Sequence, residues 1–388
     1  MSPISSVALG VRIGPGRPGL APAHLMRALR GVEVTQQDSA PCGFQLNFLA
    51  ELVAAGRSFD IVSDPLLAPF NRVLVRAAVG GVATTLIDGF ITHQQFVAGN
   101  GPDDSMFVVT GEDVSVKMAL IDYSREFPAL PDAATVLVIL APWALLGIVP
   151  DVMPSLNTIV PVEYVPQQAE TDRALVQRLA QKNGNVFYVT PQDALFMNTA
   201  YWGPPKRSGG PSAVIDVAVG AASTAESFSA EYDAMMPETY FGLSTETLVE
   251  PFVPVPVLTT ESTRYPPLAA DPALTIDTGL LAVRRTLWRD DQLDPVRANL
   301  QAQAMTDMST DAVVRVGCSV RPERLGRVVS APGIVGVRGT GQAYDGLYYL
   351  KSATHQISLV AQERWDYTQQ LTLTREGTGT TTTTLEAT

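Results

Sequence analysis

Charged side chains are sparse in this chain: Asp, Glu, Lys and Arg make up only 17% of its 388 residues, while 46% are hydrophobic. So apolar a chain packs into cores, which excludes disorder throughout, and its length suffices for two or three domains. Positive charge is the scarcer kind. Lys and Arg number 27 against 39 Asp and Glu, a formal net charge of -12, and no basic run occurs. The electrostatic footprint of a phosphate-backbone binder is missing, so no nucleic-acid partner is expected. Cysteine is rarer still: Cys42 and Cys318 lie far apart and only three histidines accompany them. Neither a disulfide framework nor a zinc cage can be assembled from these, so a reducing compartment is the expectation, with no metal and no other cofactor. Long hydrophobic runs are also wanting. Arg12, Pro15, Gly16, Arg17 and Pro18 break every apolar stretch in the first thirty residues, so no secretory signal is expected. The longest apolar run, 133–149, contains Pro142 and Gly147 and falls short of the roughly 18–20 residues of a spanning helix. It reads as buried core, and no membrane-spanning segment is expected.

What is present is strand-like sequence. Runs rich in β-branched residues, bounded by Gly, Pro or Asn, occur at 7–13, 45–51, 72–79, 83–93 and 105–110. The polar turn 99–104 predicts a hairpin that pairs 87–96 with 106–110. From Gly111 the pattern changes: Val114, Met118, Leu120 and Ile121 follow the acidic pair Glu112-Asp113 at near-helical spacing, a helix start. A second helix is predicted over 171–182, with Leu175, Val176 and Leu179 on one face and Gly184 as its stop. The breaker-rich stretch 203–211 reads as a linker. Beyond it come strands at 213–219 and 226–233, a Pro-rich passage over 251–272, a helix over 295–308 and a final β region over 312–375. The Thr-rich tail reads as disordered.

One order of residues occurs twice. Asp88-Gly89 leads to Thr92-His93-Gln94 and then Thr110-Gly111; Asp345-Gly346 leads to Thr354-His355-Gln356 and then Thr374-Arg375-Glu376-Gly377. A repeated β domain would let three subunits present six similar domains in a closed ring. The plainer reading is two unrelated hairpins with polar residues facing solvent.

Few stretches resemble reactive motifs. Gly14-Pro15-Gly16-Arg17-Pro18-Gly19 has the spacing of a dinucleotide fingerprint, yet Pro15 and Pro18 offer a pyrophosphate no amide hydrogen, so it reads as a structural turn. His24, His93 and His355 are too dispersed for a metal site, and His93 and His355 read as hydrogen-bonded strand residues. Glu112 and Asp113 are adjacent, whereas glycoside chemistry needs opposed carboxylates; at a helix start they complement its dipole. Tyr348, Tyr349, Trp365 and Tyr367 could stack on a carbohydrate, but in alternating strands they read as core or interface. No catalytic, cofactor-binding or metal-ligating residue is assigned, and the chain is not expected to be an enzyme.

The chain resembles the phage late control D family, the VgrG-like hub proteins of contractile tails and injection systems. The residues that carry the resemblance are Asp88-Gly89 with Thr92-His93, Asn100-Gly101, Val109 to Asp113, Arg178-Leu179-Ala180 with Asn183-Gly184, the run from Gly346 to Ile357, and Leu371 to Arg375. It implies a mainly β protein with α+β parts: two similar tube-type β-barrels plus a mixed domain, in a homotrimeric, pseudo-six-fold ring. The implied domains are a first barrel over 1–112 and a mixed domain over 113–212. The second barrel is built from 213–258 and 312–377 around an inserted Pro-rich connection and helix (259–311), and a disordered tail covers 378–388. It further implies a structural baseplate hub that joins the inner tube to a central spike. The implied partners are its own copies, the spike protein, the inner tube protein and the baseplate wedge proteins. Assembly would take place in the bacterial cytoplasm, into a virion or phage-tail-like particle. Nothing after residue 377 would supply a needle, so the spike is expected to be another polypeptide. The rival classes are a tail-associated cell-wall hydrolase, which needs a cleft of convergent acids, and a carbohydrate-binding receptor module, which needs exposed aromatics.

Overall fold

The computed structural model describes residues 7–52, 59–100, 104–128, 130–155, 167–217, 223–246, 253–279, 282–289, 293–361 and 364–382. It is mainly β. The first stretch holds β1 (Ala8–Gly14), α1 (Ala23–Ala28), β2 (Leu29–Gln37), β3 (Gly43–Leu49), β4 (Arg72–Val79), β5 (Val82–Val97) and β6 (Met106–Asp113). β4 turns into β5 through Gly80-Gly81, both at positive φ (60° and 85°), the conformation a two-residue hairpin requires. The predicted hairpin of β5 and β6 forms as well, closing at Val97 opposite Met106. These two strands approach so closely that a Cβ on Gly89 would lie 2.1 Å from the Glu112 carbonyl oxygen, and one on Gly111 2.2 Å from that of Phe90.

The middle stretch holds β7 (Asp122–Glu126), α2 (Asp132–Leu140), β8 (Ile148–Val152), β9 (Gln167–Thr171), α3 (Asp172–Lys182), β10 (Val186–Pro191) and β11 (Asn198–Gly203). Thr171 caps α3 by accepting from the Ala174 amide, and Leu175, Val176 and Leu179 are buried, as their spacing predicts. The expected helix after Glu112-Asp113 is only a 3₁₀ turn, Val114–Ala119. The apolar run 133–149 is core on one side only: Val136, Ile139 and Leu140 are buried, but Leu145 is 95% exposed.

The last stretch holds β12 (Val214–Asp216), β13 (Ala225–Tyr232), β14 (Glu238–Glu246), β15 (Val253–Leu258), β16 (Ala269–Pro272), β17 (Arg284–Leu287), α4 (Pro295–Thr310), β18 (Val314–Val320), α5 (Pro322–Leu325), β19 (Gly333–Arg338), β20 (Gly346–Ala361), β21 (Arg364–Arg375) and β22 (Gly377–Thr380). Two boundaries differ from those expected. β14 and β15 pair with β17 in a sheet of their own against α4, so the insertion starts after β13 and not at 259. The tail is structured at its start, because β22 pairs with β16; residues 383–388 lie outside the described residues.

One 12-stranded sheet spans both ends of the chain. Its first part runs β1-β4-β5-β6-β3-β2; its second runs β12-β19-β20-β21-β18-β13. In chain order these are the first to sixth strands of each set, so the pairing order repeats. They differ in that β1 lies antiparallel on β4, while β12 lies parallel on β19. Two irregularities repeat too, although the shift at Val75/Arg76 between β4 and β5 has no counterpart between β19 and β20. β5 skips Thr92 as its partner steps from Gly111 to Thr110, and β20 skips Lys351 as its partner steps from Leu373 to Thr372. β2 and β13 each bulge just after their first pair, at Leu29/Gly31 and Ala225/Ser227. By these rungs His93 corresponds to Ser352, and His355 to Phe96. The two Thr-His-Gln triplets therefore sit in corresponding strands but three rungs apart.

A buried ion pair ties the first part to the middle stretch. Arg72 Nε and Nη2 donate to the two Asp88 carboxylate oxygens at 2.7 and 2.6 Å, and Asn198 Nδ2 donates to Asp88 at 3.0 Å. Arg72 Nη2 also reaches the Leu146 carbonyl oxygen (3.2 Å). Arg72→Met is expected to leave Asp88 buried without its cation and to lower the unfolding free energy by about 3–5 kcal/mol, read from urea denaturation. A loss below about 1 kcal/mol would show that the pair does not anchor the two regions.

Candidate assembly surface

The two parts of the sheet meet along β2 and β20. Seven rungs connect them, from Gly31 opposite Ser358 to Gln37 opposite Ser352. Alternation sorts their side chains. Val32, Val34 and Gln36 point inward with His355 and Ile357, all buried; Thr35 faces Thr354 on the other side, hydroxyl to hydroxyl at 3.3 Å. Gln36 fixes the joint further, donating to the Leu86 carbonyl (2.7 Å) and accepting from the Ala331 amide (2.9 Å).

His355 lies fully buried behind this joint. Its Nδ1 is 2.7 Å from the Tyr367 hydroxyl and 3.0 Å from Gln369 Nε2. Gln369 Nε2 can only donate, so Nδ1 accepts and the ring hydrogen sits on Nε2, while burial pushes the Tyr367 hydroxyl well above its ordinary pKa. Burial also lowers the His355 pKa to about 3. Gln369 in turn bonds both ways with the Val329 backbone.

The residues singled out from sequence have structural settings. The 14–19 segment folds back on β1, with the Ile13 amide donating to the Gly19 carbonyl and Arg12 bridged to Leu20. His24 bonds Asp64 at 2.6 Å on the surface, and His93 is exposed on β5. Among the described residues no group of His, Cys, Asp and Glu converges as a metal site. Glu112 pairs with Arg173, while Asp113 accepts from the Cys42 and Ser115 amides, so the two acids serve different partners. Tyr348, Tyr349 and Tyr367 are buried, and Trp365 packs on the core of the first part.

A cavity of 520 Å³ lies between α4, the end of α3 and Pro204-Pro205. Charged side chains in its walls are held by partners. Arg264 pairs with Asp311, and Arg207 with both Asp311 and Glu376. Asp307 accepts from Ser262, Thr263 and Gln303. The expected linker 203–211 is thus pinned at Arg207, which is buried. The features that sequence reading passed over are β2 itself and the β2–β20 joint; the alternation of Val32 and Val34 was the available signal.

No protein-family profile matches this chain, and no curated protein does. Solved structures do. A tail protein from Neisseria meningitidis MC58 superposes over 96% of this chain and 98% of its own, at 14% identity and a TM-score of 0.61. The 43 kDa tail protein of prophage MuSo2 from Shewanella oneidensis covers 96% and 99%, at 12% identity and 0.64. A component of the E. coli type VI secretion system, described as similar to the T4 bacteriophage tail proteins gp27 and gp5, covers 89% of this chain and 73% of its own, at 11% identity and 0.54. The chain therefore has a fold found in phage tail and type VI secretion proteins.

Two measurements probe the buried groups. The His355 pKa is lower folded than unfolded, so its contribution to stability is complete above the unfolded value near 6.5 and declines as pH falls from there toward 3. The expected slope is up to about 1.4 kcal/mol per pH unit, and His355→Gln should flatten the pH dependence of the urea midpoint between pH 6 and 4. Both cysteines are buried and burial raises both thiols, Cys318 to about 12. Neither should react with a thiol reagent in the native chain, and both should react in guanidinium.

Proposed function

We propose that this chain is a structural baseplate hub subunit of the late control D and VgrG-like kind, joining an inner tube to a central spike in a phage tail or contractile injection system. The observation that carries the reading is the repeated strand order, with bulges at matching rungs, in a chain whose fold is that of tail proteins along nearly its whole length. Each half is read as a tube-type β-barrel. Three copies then offer six similar barrels, which fits a six-fold tube on one side and a three-fold spike on the other. Partners are the chain's own copies, the inner tube protein, the spike protein and the baseplate wedge proteins, within a particle assembled in the bacterial cytoplasm. The work is done by contact area and rigidity, not by a reactive group. What supports this is the mutual pairing of the buried charged groups, Arg72 with Asp88 and Arg207 with Glu376.

The copy number in the native particle, from mass measurement or a cryo-EM map, is expected to be three per spike. Six copies or one, or turnover of peptidoglycan by the purified chain, would sink the reading.

A further inference from the structure

The small sheet of the insertion, formed by β14, β15 and β17, packs its inner face against α4 through Tyr240, Val257 and Trp288. β14 lies in the middle, so β15 and β17 are the two edges. The edges differ. Pro254 and Pro256 on β15 have no amide hydrogen, so that edge cannot complete a ladder with a further strand. β17 keeps its amides. Phe241 lies opposite Leu287 in parallel register and its carbonyl accepts from the Trp288 amide, so the backbone groups of Thr286 and Trp288 turn toward β14. Those of Arg285 and Leu287 alternate with them and turn away, and among the described residues they meet no backbone partner.

The two sides of this free edge differ in chemistry. Toward α4 it opens on a mostly apolar cavity of 390 Å³, walled by Tyr240, Trp288 and Met305. On the other side stand exposed Leu287 and Arg285, whose guanidinium lies 5.9 Å from the centre of the Phe241 ring. Arg289, also exposed, borders the cavity. Arg284 is 3.5 Å from Glu238, but among the described residues neither Arg285 nor Arg289 has a carboxylate partner. In a chain of net charge -12, this edge is a positive spot.

We propose that the free edge of β17 takes an extended segment of another protein as a fourth strand, a segment in which apolar residues alternate with Asp or Glu. Its backbone pairs with Arg285 and Leu287. Its apolar side chains enter the cavity over Tyr240, Trp288 and Met305, and its acids lie on the opposite face beside Arg285. Main-chain bonds hold such an added strand, and the alternate side chains select it. A second β17 is a poor occupant, because two of these strands side by side would set arginine against arginine. The same charges that deter self-addition admit an acidic strand. The inference depends on this sheet alone and stands apart from the hub reading and its number of copies.

The test titrates the full chain into a fluorescent peptide that alternates Val with Glu, and into the same peptide with Lys for Glu, read by anisotropy. The Glu peptide is expected to bind about tenfold more tightly than the Lys peptide, and the preference should shrink as salt rises. Arg285→Glu, at an exposed position, should reverse it. A second measurement leaves the protein unaltered. N-methylation of the Glu peptide on one set of alternate amides should abolish binding, and on the other set should spare it, since only one set faces β17. No binding by the Glu peptide, equal binding of the two peptides, an unchanged preference in Arg285→Glu, or indifference to both methylation patterns would overturn the proposal. Dimers of the chain that the Glu peptide dissociates would overturn it too, by making a second copy the occupant. None of these results alters the copy number on which the hub reading is tested.

Discussion

Everything in this molecule hangs on the ladder between β2 and β20, residues some 320 positions apart that hold the two ends of the chain in one sheet. Side chains alternate with a period of two, so a slip of one residue here would turn Val32, Val34 and His355 out of the core and bring the Thr35–Thr354 side in. The cores enforce the register. Ile357 and Tyr367, from the end of the chain, complete the core built by the beginning, and Gln36 is bonded on one side to Leu86 and on the other to Ala331. Neither part of the sheet can be repacked alone.

Around this ladder the remaining segments are fastened by charge pairs withdrawn from water. Arg72 and Asp88 hold the mixed region against β4 and β5, and the side chain of Phe90, a paired residue of β5, joins that region's core. Arg207 fixes the 203–211 stretch to Glu376 at the end of β21, while Glu376 also receives the Leu268 and Ala269 amides. Such pairs cost desolvation and bind weakly in net terms, but breaking one leaves a bare charge, so they specify position more than they add stability.

The sequence showed those elements whose signal is local. Alternating β-branched residues marked β1, β3, β4, β5 and β6, and Thr171 with Gly184 bracketed α3. What it hid depends on distant partners. β2 follows α1 without a break and ends in Thr-Gln-Gln, so beyond the short alternation of Val32 and Val34 its strand character is set by β3 and β20 on either side. Val253 to Leu258 alternates with proline and reads as a connection, yet it pairs with β14. β22 is polar and Thr-rich and becomes a strand only because β16, more than a hundred residues earlier, lies beside it. The Thr-His-Gln echo pointed to the correct pair of strands by a mismatched rung: His93 is exposed and His355 is buried, because the correspondence is set by the bulges and not by the triplet.

The insertion between β13 and β18 leaves the sheet after Tyr232 and returns at Val314, two residues that face each other across one rung. Its ends are therefore about 4.5–5.5 Å apart whatever lies between them, and the entropy of closing that span rises only slowly with its length. The rung works as a socket. The segment plugged into it can lengthen or shorten without moving the rung wherever it does not touch the sheet, while β16 stays tied to β22 and Glu376.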